Sequence, residues 1–222
     1  MTLVAFTTED LAHGSKRVLK RLSLTVSPGE RIVLLGRSGV GKSTLLNAIY
    51  DRMTASGLRV ALVPQDTALV PQLSVLRNAL IGRLDDQSWL RNLMAWVRPG
   101  RGQRAEVQEI LTQLDLAGLI DRPVEVLSGG QKQRAALARA IYRGGTVLLA
   151  DEPVSAVDET QARRLMGLLH TRFQTSVVAL HDVDLARAYG TRLIGLRDGG
   201  VLFDAGPEAI SDLQIQRLYS DV

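Results

Sequence analysis

The sequence has no cysteine. That excludes a disulfide framework, a thiolate zinc site, an iron–sulfur cluster and a cysteine nucleophile, and it is compatible with a reducing compartment. Long hydrophobic runs are also missing. The longest are about four residues, as at 32–35 and 147–150, against the roughly 20 that a membrane span needs. The opening MTLVAFTTED has no basic segment and reaches Glu9 and Asp10 too early for a secretion signal, so a cytoplasmic protein is expected. There is no internal repeat and no low-complexity stretch. Neither sign of charge dominates: 27 Lys+Arg against 23 Asp+Glu leave a net +4. So mild a basic balance suits a phosphate ligand or an anionic surface, and an ordinary solvated surface accounts for it as well.

What remains is ordinary globular material, 222 residues that are 45% hydrophobic and 23% charged. That length suits one domain, or one domain with an insertion, and can bury roughly 70% of the surface of the unfolded chain. Short apolar runs at 31–35, 60–63, 147–150 and 177–180 each end in Gly, Pro-Gln, Asp-Glu or His. Continuous apolar runs of this length read as strands buried on both faces, the pattern of a parallel sheet. Amphipathic stretches at 42–50, 131–142 and 160–173 lie between several of them, which predicts an α/β core. Polar groups at strand C-termini stand where open α/β sheets bind ligands. Residues 1–30 alternate loosely (Leu22, Leu24, Val26), and residues 193–203 read as a hairpin turning at Asp198-Gly199-Gly200. From about 66 to 126 the pattern is mostly helical, as expected of a subdomain inserted into a single domain spanning 1–222.

Three motifs carry chemistry. Gly36-Arg37-Ser38-Gly39-Val40-Gly41-Lys42-Ser43 fits the phosphate-loop pattern between a strand and a helix. Its glycines let backbone N–H groups turn toward phosphate oxygens, and the helix N-terminus adds partial positive charge. Lys42 brings a full charge to the β/γ-phosphates, the Ser43 hydroxyl suits Mg²⁺, and Thr44 suits the α-phosphate. Asp151 and Glu152 end a buried strand. Asp151 suits holding Mg²⁺ and Glu152 suits polarising an attacking water. Leu127-Ser128-Gly129-Gly130-Gln131 heads the helix 131–142, with Ser128 and Gln131 at capping-box spacing. A capping box alone does not explain two adjacent glycines, which allow a second anion to approach backbone N–H groups at this helix N-terminus.

Together, GRSGVGKST, LSGGQ and LLADEP resemble, in content and order, an ABC transporter ATP-binding subunit. The resemblance covers nearly the whole chain. It implies a P-loop ABC ATPase core with a mostly parallel sheet, an inserted helical subdomain and an antiparallel β-subdomain. It implies ATP and Mg²⁺ as cofactors. Gln65, in VPQD, matches the Q-loop glutamine that senses Mg²⁺ and the membrane partner. Ser155-Ala156-Val157-Asp158 matches the D-loop, with Val157 where leucine is commoner. His181 matches the switch histidine at the γ-phosphate. In such proteins ATP lies between the phosphate loop of one subunit and LSGGQ of the other. A homodimer in the ATP state is therefore implied, peripheral on the inner face of the cell membrane. A separate integral-membrane permease is implied with it and, indirectly, an extracytoplasmic solute-binding protein. No nucleic-acid partner is expected.

Two departures stand out. His13, followed by Gly14, takes the place of the aromatic that usually stacks on adenine. It is set as the adenine contact, against a solvated loop histidine. Gln65 follows Lys42 by only 23 residues, so the antiparallel β-subdomain should be small. Within the family, the stretch from Asn78 to Leu84 (NALIGRL) with Trp89 and Trp96 looks like the ATPase of phosphonate importers. Trp89, Leu93 and Trp96 share one helix face, read either as core or as a permease-docking surface. Arg91, Arg98, Arg101 and Arg104 form a basic run that suits anionic lipid, the permease or plain solvation. The leading expectation is an ATPase driving uptake of a small, phosphonate-like oxyanion. An exporter, or an importer of another cargo, is the alternative. A soluble ABC ATPase acting on nucleic acid or ribosomes is more distant, because it would need two cassettes or a long coiled coil. A phosphate-loop kinase would not explain LSGGQ, and no N-K-x-D guanine motif is present.

Overall fold

A computed structural model describes residues 2–86 and 99–220. The chain divides into two compact units. The first comprises the residues up to Gln65, then Gly145–Ser155 and those from Met166 on; the second comprises Asp66–Gly144 and Ala156–Leu165.

In the first unit, β1 (Val4–His13) and β2 (Lys16–Val26) form a two-stranded antiparallel sheet. The main sheet has β3 (Arg31–Leu35), β4 (Val60–Val63), β5 (Val147–Asp151), β6 (Thr175–Ala179), β7 (Arg192–Arg197) and β8 (Gly200–Ala205). Its order is β4-β5-β6-β3-β7-β8. All its pairings are parallel except the hairpin β7–β8. That hairpin turns through Asp198 and Gly199 at φ 50° and 77°, the positive-φ pair that matches strand twist. The α1 helix (Lys42–Ala55) buries Leu45, Leu46, Ile49 and Met53 and packs against β1 and β5. Its apolar face joins Phe6, Leu22 and Leu24 of the small sheet to Ile32, Leu149 and Val177 of the large one. Each such side chain, once buried, contributes roughly 1.5–3 kcal/mol. The core therefore fixes the strand ends from which the site loops leave. Passing straight from α1 to β4, the chain leaves the antiparallel sheet at two strands, as the short Lys42–Gln65 span predicts.

The run expected at 177–180 forms a strand two residues earlier, β6. Thr175 and Ser176 are buried polar residues whose hydroxyls are satisfied. Thr175 Oγ1 accepts from the Gly29 N–H at 2.9 Å, and Ser176 Oγ shares a hydrogen bond with the Tyr189 hydroxyl at 3.2 Å.

The second unit is helical. It holds α2 (Val75–Leu80), α3 (Arg101–Gln113) and α4 (Gly129–Arg143). The first half of α5 (Glu159–Arg172) also belongs to it. Apolar residues of α2 and α3, among them Leu76, Ala79, Val107 and Leu111, are buried, and both helices pack on α4. Asn78 is fully buried and ties down the preceding loop. Its amide accepts from Val70 N–H at 2.8 Å and donates to the carbonyls of Val70, Leu73 and Ser74. Two short helices of the first unit complete the chain, α6 (Val183–Tyr189) and α7 (Asp212–Tyr219).

Candidate nucleotide site

The loop from Gly36 to Gly41 leaves the C-terminal end of β3, the strand with β6 on one side and β7 on the other. Gly36, Gly39 and Gly41 have φ of 144°, 77° and 114°, which L-residues rarely adopt. Space compels two of them as well. A Cβ on Gly36 would stand 2.5 Å from the Leu196 carbonyl oxygen, and one on Gly41 would stand 2.7 Å from Val18. Gly41 caps α1 with no side-chain hydrogen bond, and the first turn holds no acid. By contrast Ser74, Ser128, Asp182 and Ser211 cap their helices with side chains. The first N–H groups of α1 thus stay available to an anion. Lys42 is 5% exposed, and its Nζ donates to the carbonyls of Gly36 at 2.7 Å and Arg37 at 3.2 Å. Burial draws its pKa below the usual lysine value, while Glu152 and Asp151 pull it back.

β5 ends on Asp151, which is buried, and Glu152 follows in the left-handed region at φ 52°. The Glu152 N–H donates to Ala179 O at 3.1 Å, and its Oε1 lies 2.5 Å from His181 Nε2. That left-handed backbone costs of order 1–2 kcal/mol. Gln65 follows β4 and is exposed. A cavity of about 760 Å³ is lined by the phosphate loop, Ser43, Thr44, Gln65, Asp151, Glu152 and His13. Apart from His13, at the end of antiparallel β1, these groups follow the C-terminal ends of the parallel strands β3, β4 and β5, which is where such a sheet binds ligands. Sequence reading missed several other walls of the cavity: Lys16 and Arg17 at the start of β2, Arg197 and Asp198 in the β7–β8 hairpin, and Leu218 and Ser220. The only sequence signal for any of these is the hairpin turn itself.

In the second unit, Ser128 Oγ accepts from Gln131 N–H at 3.3 Å and Gln131 Oε1 accepts from Ser128 N–H at 2.9 Å. The capping box is therefore formed. The two glycines differ. A Cβ on Gly130 would meet Ala156 O at 2.8 Å, whereas beside Gly129 there is open space. Gln133, 7% exposed, accepts from Ala156 N–H at 2.9 Å and so anchors the segment ahead of Asp158. Asp158 is exposed and accepts from Gln161 N–H at 2.9 Å at the head of α5. Arg139 donates to Thr67 O and Ala68 O, both at 2.6 Å, just beyond Gln65. Gln133 and Arg139 carried no sequence signal, because their partners are distant in the chain.

The NALIGRL stretch has structural work of its own. Gly82 lets the α4 backbone approach, since a Cβ there would stand 2.6 Å from Arg139 O. Arg83 pairs with Glu106 at 2.7 Å and lies 4.1 Å over the Tyr142 ring. Arg104 pairs with Asp121 at 2.6 Å. Trp89, Leu93, Trp96, Arg91 and Arg98 lie outside the described residues.

A glycine loop between a central parallel strand and a helix, with a buried Asp151 and a half-buried Glu152 in the same cavity, defines a phosphate-loop NTPase. The family is specific: the model described as ABC transporter matches residues 19–155, and this chain belongs to that family of ATPases. A phosphonates import ATP-binding protein of Pseudomonas putida is 36% identical over 95% of this chain and 87% of its own length. A phosphite import ATP-binding protein of Stutzerimonas stutzeri is 34% identical over 93% of this chain and 83% of its own. Among solved structures, a bacterial ABC transporter cassette in its dimeric form superposes with a TM-score of 0.79 at 26% identity, covering 95% of this chain and all of that one. A post-hydrolysis dimer bound to ADP and Pi gives 0.77 at 26% identity, with 95% and 100% coverage. Among the described residues no helix is long and apolar enough to cross a membrane.

Proposed function

We propose that this chain is the ATP-hydrolysing subunit of an importer for a small phosphonate-like oxyanion, working on a separate membrane permease. What carries the reading is the single cavity that gathers the phosphate loop, Lys42, Asp151, Glu152 and Gln65, together with relatives named for phosphonate and phosphite import. The free N–H groups at the head of α1 and the Lys42 charge bind the phosphates; Gly36 to Gly41 shape the loop, and Thr44 reaches the α-phosphate. His13 packs on the adenine. Glu152 takes the proton of the attacking water, and His181, bonded to it, faces the γ-phosphate. Ser43, Asp151 and Gln65 offer only oxygen donors, the set that suits Mg²⁺; the ion would neutralise phosphate charge. Two copies face head to tail, so Ser128, Gly129, Gly130 and Gln131 of one, with its Asp158, complete the site of the other. Residues 66–126 form the inserted helical subdomain that meets the permease at the inner face of the membrane.

The test is purification of the tagged protein from mildly solubilised membranes with its partners identified by mass spectrometry. The expected result is a multi-span permease with an extracytoplasmic binding protein, which is then titrated with phosphonates and phosphate esters. Recovery with a permease alone would overturn import. Recovery only from the soluble fraction with ribosomes or nucleic acid would overturn transport.

A further inference from the structure

After Gln65 the chain leaves the first unit for the second, and the turn it makes there is strained. Thr67 and Ala68 are both left-handed, at φ 27° and 46°. Residues with side chains keep such a backbone only where their surroundings over-determine it. Ala68 N–H donates to Asp66 O across the turn. Arg139 holds it from outside, donating to Thr67 O and Ala68 O, both at 2.6 Å. Two bonds from one planar cation are charge-assisted, and together they fix direction as well as distance. Two residues on, Val70 is bound through its N–H and its carbonyl by the buried Asn78 amide.

The base of Arg139 is equally fixed. Gly82 packs so close that a Cβ there would stand 2.6 Å from Arg139 O, and Ala138 and Ala140 beside it are buried. On the other side of Gln65, Val63 pairs with Ala150 in the main sheet. Gln65, which lines the nucleotide cavity, is therefore strung between two anchors. One is a sheet register and the other is a single arginine on α4, the helix headed by Ser128.

We propose that Arg139 is a positioning residue for Gln65: its guanidinium holds the strained turn at Thr67 and Ala68 and so sets where the Gln65 amide sits in the cavity, a role that rests on Gln65 offering its oxygen to Mg²⁺ beside ATP. Groups that orient a metal ligand typically matter about tenfold or more in metal affinity or rate. ATP affinity measured by calorimetry in EDTA should therefore stay within about twofold of wild type in Arg139→Ala, while the gain in affinity on adding Mg²⁺ falls about tenfold. Amides of residues 66–70 should exchange hydrogen faster in the same variant. Arg139→Lys brings one point donor in place of a fork and should recover part of the Mg²⁺ gain. It also keeps the test decisive if Arg139→Ala folds poorly, since a full wild-type gain with lysine would then count against the role.

A purely structural role is separated by Arg83→Ala. That change removes the Glu106 pair and the cation over Tyr142 of α4, so it loosens the same helix without touching the turn. It should lower the thermal midpoint and leave the Mg²⁺ gain unchanged. A wild-type Mg²⁺ gain in Arg139→Ala, or an equal loss of that gain in Arg83→Ala, would overturn the proposal. A wild-type gain in Gln65→Ala would instead overturn the metal role of Gln65 itself, so the two failures are distinguishable.

Discussion

Replacing Glu152 by Gln changes a single terminal atom and isolates the proposed base. The backbone at Glu152 is left-handed, a cost of about 1–2 kcal/mol that glutamine bears equally, so it cancels between the two proteins. The Glu152 N–H to Ala179 bond is a main-chain contact and is retained. The amide still reaches His181, which lies 2.5 Å from the carboxylate oxygen. What disappears is proton acceptance. General-base assistance is worth about 10²–10⁴ in rate, which adds about 3–5 kcal/mol to the barrier. Phosphate release at saturating MgATP should therefore fall by that factor, while ATP affinity by calorimetry stays near wild type. Held ATP should also accumulate the dimer, seen by light scattering. Hydrolysis within about tenfold of wild type would refute Glu152 as the base. A variant that stays monomeric at saturating MgATP would refute the composite site.

Lys42→Ala should lose most nucleotide affinity in calorimetry, since the buried ammonium is the full charge that the loop offers the phosphates. Gln133→Leu removes the acceptor of the part-buried Ala156 N–H bond and should cost about 0.5–1.5 kcal/mol in urea unfolding. Asp121 titrates below the usual aspartate range because Arg104 bonds its carboxylate. The stabilisation is thus fully present above that range and is lost as pH falls through the lowered pKa. Arg104→Ala should raise the Asp121 midpoint toward the ordinary value in an NMR titration.

The parts of this protein legible in its sequence are those whose signals are local. β3, β4 and β5 read as apolar runs because both faces of a parallel strand are buried, and α1 and α4 announce themselves through glycines and a capping box. β6 was displaced because Thr175 and Ser176 hide their hydroxyls in hydrogen bonds, a solution that hydropathy does not register. The phosphate loop, Asp151, Glu152, Gln65 and His13 line one cavity; all but His13 follow apolar runs in the sequence, and His13 comes from the family resemblance. Gln133 and Arg139 were out of reach for a different reason. Each acts on backbone groups far away in sequence, Gln133 at Ala156 and Arg139 at Thr67 and Ala68. No motif records a partner that only the completed fold brings near.

The strand order also dictates when during synthesis the protein becomes competent. β3 pairs Arg31 with Ser176 on one side and Ile32 with Arg192 on the other. The strand that bears the phosphate loop therefore leaves the ribosome long before either neighbour exists. The hairpin β1–β2 closes locally, but β3 has both backbone edges unpaired until β6 is made, and its edge toward β7 stays open until the chain has passed residue 197. The walls that Leu196, Arg197 and Asp198 give the cavity exist only once β7 is in place, so a ligand held there favours chains whose sheet has closed.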